Sequence, residues 1–557
     1  MLPYHLAMKI ATALIALVAS AASAGWPQFG RDAGHSGSAP VTGQSLRLVL
    51  AQIIMDPFAP QEISGTGGSL LIHYATPLID GNDVFVEVKS GSFTSNWQTQ
   101  SWSVQAFRWN GNQLSVRWTA TSDWKPVPPG ANGNGPSFEP VFQPILANDS
   151  LYMPGFGGSI LRVNRDTGQI VERLGAASPL DADTYVSGPL VADSGGNIDY
   201  NVIAFTAGQP WTTDIRDAWL TRVSANGQTT IARYSAIHPG APAASAMCLG
   251  AFSDNDLPWP PSPGAVPPSI PCGSQRPGVN VAPAIAPDGT IYTVSRAHFN
   301  SRWSYMVAIN PDLSRKWITS MRDRLDDGCD VLLPPSGMAG GCKGGATPGV
   351  DPADNTRGAG RVIDDSSSSP SVAPDGVFYG AYTRYNYSQG HMMHFSANGA
   401  FLNAYHFGWD ITPAIYAHNG TYSVVTKENR YDQTGSYCPY LSICPGIRRA
   451  EDPQGYFVTQ LDPSLRPEWL VENPNDREWC VNGPAIDDRG MIYMNSEDGF
   501  LYAFDSAGNL RETILLLTTG GQAYTPVAID DSGRVYAEKD GRLFVVGGFS
   551  PRRRAVR

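Results

Sequence analysis

The sequence predicts an all-β, eight-bladed β-propeller, closed by an N-terminal strand and carrying long, disulfide-stapled insertions on one face. Three observations predict it. First, one motif recurs eight times: an apolar strand holding a proline, a Gly/Asn/Asp turn, and a second strand rich in Tyr and Val. Second, its shortest spacings are 42 (Pro484 to Pro526), 43 (Pro370 to Pro413) and 45 residues (Pro144 to Pro189), the length of a blade of four short strands. Third, the last copy lacks a fourth strand, while a strand without a unit of its own precedes the first copy.

Composition agrees. Among 557 residues, Gly (58) and Pro (45) are abundant and only 16% are charged, as suits a turn-rich all-β chain. The hydrophobic share of 42% supports a large core. A net charge of −11 gives no general footprint for nucleic acid.

Lys9, the apolar run Ile10 to Val18, and Ala22-Ser23-Ala24 read as a cleaved export signal ending before Gly25. The run is too short to anchor a chain in a bilayer, so a periplasmic or secreted monomer without a membrane span is expected. Residues 1–24 are then the leader, 25–550 the propeller and 551–557 a basic tail.

The motif copies begin at Ala75, Gln143, Ser187, Val281, Ser369, Thr412, Gly483 and Thr525, with marker prolines Pro77, Pro144, Pro189, Pro283, Pro370, Pro413, Pro484 and Pro526. A proline at a strand's first residues is tolerated because its missing N–H is not yet needed by the ladder. Asn-Gly and Asp-Gly steps supply the positive φ of tight hairpins. The last copy gives only "TPVAID", "RVYAEKD" and "GRLFVVGG"; the segment "LRLVLAQII" (Leu46 to Ile54) is expected to complete that blade and hide its edge.

The repeat "GPAIDDRGMIYMNSEDGFLYAFDSAGNL" from Gly483 resembles that of the pyrroloquinoline-quinone-like (PQQ-like) propeller superfamily, as does "ILRVNRDTGQIVERL" from Ile160. The segment "GWPQFGRDAGHSG" from Gly25 resembles the start common in that superfamily. The resemblance implies the fold and either of two functions: a quinone-dependent alcohol or sugar dehydrogenase, or a non-catalytic scaffold. For a dehydrogenase it implies PQQ and calcium on the axis. Arg296, Arg384 or Lys427 would then hold the quinone's carboxylates, and Glu87, Glu428 or Glu538 would bind calcium or act as base.

The chain departs from the enzymes' pattern. Glu172 stands where they carry a Trp at the end of many repeats, and the adjacent Cys-Cys pair and the C-x-x-C-H of a haem extension are absent. It also lacks the lipobox Cys of the outer-membrane assembly scaffold.

In a propeller the blade-to-blade links and the loops between second and third strands share one face, the top. The long segments map there, including Ser122–Phe138, Ser235–Asn280, Ser320–Ser368 and Lys427–Gln454. Three cysteine pairs fall in these segments, Cys248 with Cys272, Cys329 with Cys342, and Cys438 with Cys444, and each is expected to bridge locally; Cys480 is left over. Extra material on one face of a repeat fold marks its working face. The binding candidates are therefore Trp97, Trp211, Arg296, His298, Trp303, Arg384, Tyr385, Lys427, Glu428 and Glu538. His391 and His394 point to opposite sides of a strand, so no shared metal is expected.

The leading reading is an exported, non-catalytic propeller that recognises a protein or glycan through its top face. The alternatives are a PQQ- and calcium-dependent dehydrogenase of alcohols or sugars, and a carbohydrate-active enzyme with paired carboxylates.

Overall fold

In the computed structural model a four-stranded antiparallel blade starts at each marker proline. Residues 25–548 are described, apart from 95, 131–134, 176–178, 251–265, 326–349, 352–355, 367, 385–388, 407–410, 431–454, 480, 519–520 and 522. Blade 1 is built from Leu78–Asp80, Asp83–Gly91, Gln100–Asn110 and Gln113–Thr121, in that spatial order. Blades 2, 5, 6 and 7 repeat the pattern, and in blades 3 and 4 two short strands share the innermost position. Blade 8 has three strands from the C-terminal region, Ala523–Ile529, Val535–Lys539 and Arg542–Gly547. Its outer strand is Leu48–Ile54, antiparallel to Arg542–Gly547 with Leu48 opposite Gly547 and Ile54 opposite Arg542.

Local chemistry explains the turns. Between the first two strands of blade 2, Asn148 and Asp149 both have positive φ (48° and 54°), the conformation a two-residue hairpin needs and one that Asn and Asp adopt most readily after Gly. The second strands are continuously buried, as in Ile198–Ala204 of blade 3, because neighbouring blades cover both faces of each sheet. Outer strands such as Ile170–Leu174 are largely exposed.

Three outer strands carry a tryptophan that docks on the next blade. Trp118, Trp317 and Trp469 donate their Nε1–H to the carbonyls of Arg165 (3.0 Å), Ala397 (2.8 Å) and Ser506 (3.1 Å). Each ring lies on a glycine of positive φ, Gly168, Gly399 or Gly508, where an added Cβ would meet ring carbons at 2.6–2.8 Å. The departure read at Glu172 is shared by the outer strands of blades 3, 5, 7 and 8, which also carry no tryptophan. In blades 4 and 6 the docking Trp follows Leu313 and Leu465, which take the left-handed turn conformation (φ 66° and 59°) usually left to glycine.

The N-terminal segment winds once around the lower end of the axis and meets the blades in order. Trp26 exchanges backbone hydrogen bonds with Ile79 of blade 1, and the carbonyl of Pro27 accepts from Leu146 of blade 2. The Gln28 side chain pairs with the backbone of Ala192 in blade 3. The carbonyls of Ala33, Gly34, Ser36 and Gly37 accept from Ile285, Val372, Ile415 and Ile486 of blades 4 to 7. The amide of Gln44 donates to Gly533, in the inner turn of blade 8. His35, buried within this segment, donates to the Pro370 carbonyl at 2.7 Å, and burial lowers its pKa to about 4.

Trp26 is 1% exposed at the start of this segment. Trp26→Ala should destabilise the protein by about 3–5 kcal/mol through lost burial and a residual cavity. Urea unfolding followed by tryptophan fluorescence checks this; a loss below 1 kcal/mol would mean that the segment does not hold the ring.

Candidate functional site at the top of the axis

The second strands run upward and end on the insertion-bearing face, where two buried charge clusters form. At the end of blade 1's second strand, Lys89 Nζ lies 2.8 Å from both Asp56 and Glu139, with all three side chains at most 1% exposed. Asp56 also accepts from the Tyr74 hydroxyl (2.9 Å) and the Phe58 amide (2.8 Å). Burial alone would strip Lys89 of its proton, but Glu139 and Asp56 outweigh it and hold the ammonium charged. Burial pushes Glu139 up to about 7, against the pull of Lys89.

Glu87 lies two residues before Lys89 and so on the same face of the strand. It accepts from the Ala75 amide at 2.9 Å. Burial raises it to about 8, with Lys89 the main opposing influence. Glu538, at the end of blade 8's second strand, is fully buried and neither oxygen has a hydrogen-bond partner among the described residues. Burial, and then the neighbouring Glu87, raise its pKa strongly. At neutral pH this pair is therefore held mainly in the protonated form.

The second cluster belongs to blades 4 and 5. Arg276, 0% exposed, makes a two-pronged contact with Asp364 (2.8 and 2.7 Å). Arg296 reaches the same carboxylate at 3.1 Å. Burial would raise Asp364, but the two arginines outweigh it and hold it well below the usual carboxylate range. Burial lowers Arg296 to about 10, partly offset by Asp364. Arg276 Nε donates to His298 Nδ1 at 3.0 Å, so the other nitrogen, Nε2, carries the proton and donates to the Thr213 carbonyl at 3.1 Å. Burial, then Arg276 and Arg296, lower His298 to about 3. Trp211 stacks on His298 (6.0 Å, 16°) and lies 5.6 Å below the Arg276 guanidinium.

Between the clusters the axis is filled. His73 stacks on Tyr524 (4.5 Å, 10°), and Phe138 packs against both rings at 5.6 and 5.3 Å. Lys427 Nζ sits 5.1 Å from the Tyr524 ring centre. Asn280 Nδ2 lies 3.4 Å from His73 Nδ1, and Asn280 Oδ1 accepts from the Val141 amide. His73 leads into blade 1 and Asn280 into blade 4. Blades so far apart in the ring meet only across its axis. Asp365 accepts from the amides of Ser137 and Phe138 and so fixes Phe138 over the stack.

The structure thus brings Trp211, Arg296 and His298 together, and places Lys427 and Glu538 at the axis. It turns Glu428 elsewhere: its carboxylate accepts from the hydroxyls of Tyr405 (2.8 Å) and Thr459 (2.9 Å), between blades 5 and 6. Trp303 lies under the Arg322 guanidinium (3.4 Å) and packs against the disulfide Cys248–Cys272. Trp97 packs on the core of blades 1 to 3. Arg384 ends blade 5's second strand, and Tyr385, Cys329, Cys342, Cys438, Cys444 and Cys480 lie outside the described residues. Sequence reasoning missed Lys89, although its place two residues after Glu87 was a usable signal. It also missed Asp56, Glu139, Arg276 and Asp364, which sit in links without periodicity.

No protein-family profile and no curated protein matches the chain. Solved structures do. A europium-containing methanol dehydrogenase matches with TM-score 0.51 and 12% identity, over 92% of this chain and 89% of that one. The quinohemoprotein alcohol dehydrogenase from Comamonas testosteroni matches with TM-score 0.53 and 12% identity, over 95% of this chain and 81% of that one. The fold is that of the PQQ-like β-propellers. BamB from Moraxella catarrhalis also matches, with TM-score 0.44 and 11% identity, over 90% of this chain and 99% of that one.

The quinone and calcium of a PQQ-like dehydrogenase do not fit this axis. The His73–Tyr524–Phe138 stack packs ring on ring between the two charge clusters. Arg296 is committed to Asp364, and Lys427 lies over Tyr524. Calcium takes six to eight oxygens, yet no group of three His, Cys, Asp or Glu side chains converges on a metal position among the described residues. Glu87 and Glu538 form only a pair, and Glu428 faces the seam between blades 5 and 6.

Two measurements follow. Glu87 keeps its proton in the folded state and loses it in the unfolded chain above pH 4.5. Its contribution to stability is therefore full below that pH and falls as pH rises toward 8, by about 1.4 kcal/mol per pH unit. Asp364, with a depressed folded pKa, acts oppositely: its contribution is present above its unfolded pKa and lost as pH falls below it. Thermal melts should peak near about pH 5, and Glu87→Gln should flatten the alkaline limb between pH 5 and 8. An unchanged alkaline limb in this variant would contradict the assignment. Asp364→Asn leaves two buried guanidiniums facing each other and should cost about 3–5 kcal/mol, measured by denaturant unfolding at pH 7.

Proposed function

We propose that this chain is an exported, non-catalytic binding propeller that recognises a protein or glycan through the insertion-bearing top face. One observation supports the reading: the cations described near the axis are engaged within the chain, Lys89 by Asp56 and Glu139 and Arg276 and Arg296 by Asp364, with the chain's own stacked rings between them. Trp97, Trp303 and Arg296 are partly exposed on that face, and with Arg384 and Tyr385 they are the residues we assign to such recognition. Export rests on the leader-like N-terminus. Among the described residues no helix is long and apolar enough to cross a membrane.

A second reading has a specific observation in its favour, the fold shared with a europium-containing methanol dehydrogenase and a quinohemoprotein alcohol dehydrogenase. One experiment separates the two. The purified protein is incubated with PQQ and either calcium or europium, then assayed for dye reduction with methanol, ethanol and glucose, and for a shift in melting temperature. No shift and no dye reduction are expected. A quinone absorbance retained through gel filtration, with alcohol-dependent dye reduction, would overturn the binding reading. Glycan and peptide arrays then identify the ligand class.

A further inference from the structure

The bottom face carries a cavity of about 590 Å³ where the N-terminal segment crosses blades 7, 8 and 1. This is a ligand-sized volume, on the opposite side of the ring from the insertions. Its floor includes Trp109 and Tyr493, both nearly fully buried. Three guanidiniums line it: Arg47 from the strand that closes the ring, Arg489 from the inner turn of blade 7, and Arg534 from the inner turn of blade 8.

Two of these are held in place from behind. Arg489 Nη2 donates to Asp487 at 3.1 Å, and the Asp487 side chain is fully buried. Arg534 Nη1 donates to Asp530 at 3.0 Å, with the Asp530 side chain 1% exposed. The Arg534 guanidinium also lies 4.1 Å over the Trp109 ring. These contacts occupy part of each five-donor fork and fix its plane. Arg47 is exposed and has no ion pair among the described residues. The cavity holds one carboxylate, Glu512, whose Oε2 is engaged by the Leu46 amide. Asn112, Ser45 and Ser532 add neutral hydrogen-bonding groups. Asp487 and Asp530 balance Arg489 and Arg534, and Glu512 balances Arg47, so what the cavity offers an anion is guanidinium donors rather than net positive charge.

Fixed guanidinium forks match carboxylate, sulfate and phosphate oxygens in pairs. Neutral amide and hydroxyl groups beside them suit a hydroxylated body. We propose that this cavity binds a small oxyanion-bearing polar molecule, with the chemistry of an acidic sugar or sugar phosphate. The site stands apart from the top face and does not rest on the function proposed for it.

The test is isothermal titration at low ionic strength with five probes: glucuronate, glucose 6-phosphate, inorganic phosphate, inorganic sulfate and glucose. At least one of the anions should bind and glucose should not. Phosphate or sulfate binding as tightly as the sugar anions would place recognition in the oxyanion alone; tighter binding of the sugar anions would add the hydroxylated body. Arg47→Ala removes an exposed, unpaired charge and leaves the fold intact. Arg489→Lys keeps the charge beside Asp487 but loses the fork. Each should weaken binding about fivefold or more, with the melting temperature of Arg47→Ala unchanged. The proposal fails if no anion binds, if glucose binds as tightly as glucuronate, or if both variants bind as the parent does.

Discussion

Eight inner strands surround the axis, and each presents backbone groups to it that no blade can satisfy from within. Buried and unpaired, such groups are costly. The segment Gly25–Gln44 meets this need blade by blade, reaching Ile79 of blade 1 first and Gly533 of blade 8 last. The next strand, Leu48–Ile54, then becomes the outermost strand of blade 8. About thirty consecutive residues thus satisfy the innermost edge of the ring and complete its outermost sheet, and so couple the first blade to the last. The register of the whole ring depends on this double role, because a ring with one blade more or fewer would leave the segment out of step with the inner strands. The same path closes the lower end of the axis, which leaves the top as the end where the second strands and the links converge.

That convergence explains why buried charges concentrate there. Each second strand ends on the top, and each link brings further polar residues inward. On the side of blades 1 and 8 the groups are mostly acidic and surround one lysine, Lys89. On the side of blades 4 and 5 two arginines share one carboxylate, Asp364. Asn280 and His73 meet between the two sides, 3.4 Å apart. Low dielectric makes each unpaired charge expensive. The structure answers this by pairing Lys89, Arg276 and Arg296, and by keeping Glu87 and Glu538 mainly protonated.

The sequence made the repeat legible because its period and prolines are local signals. The closing strand was legible because the last copy was visibly short. The tryptophan docks were hidden by Leu313 and Leu465, which adopt a turn conformation that sequence rules assign to glycine. At the top, residues on second strands could be read: Glu87, Arg296, Lys427 and Glu538. Face assignment within a strand was the weak point. Lys427 and Glu428 are adjacent and point to opposite sides; one reaches the axis and the other a seam between blades. Arg276 and Asp364 lie 88 residues apart in links, and nothing in either link predicts that they meet.

Fold and chemistry separate cleanly in this molecule. A chain with 12% identity to a europium-containing methanol dehydrogenase superposes over most of its length, because a propeller asks only for blade period, turn chemistry and closure. Cofactor chemistry asks for more: an open axial position, several oxygens aimed at one point, and cations left free to meet carboxylates. His73 ties the ring stack on the axis to its surroundings. Its backbone and Nδ1 both hydrogen-bond to the Glu139 carbonyl, and Glu139 in turn anchors Lys89. The ring that fills the axis is therefore tied to the charge cluster beside it. Clearing the axis for a planar ligand would require breaking a buried hydrogen bond and disturbing a buried ion pair together, a cost of several kcal/mol that surface side chains on the insertions do not face.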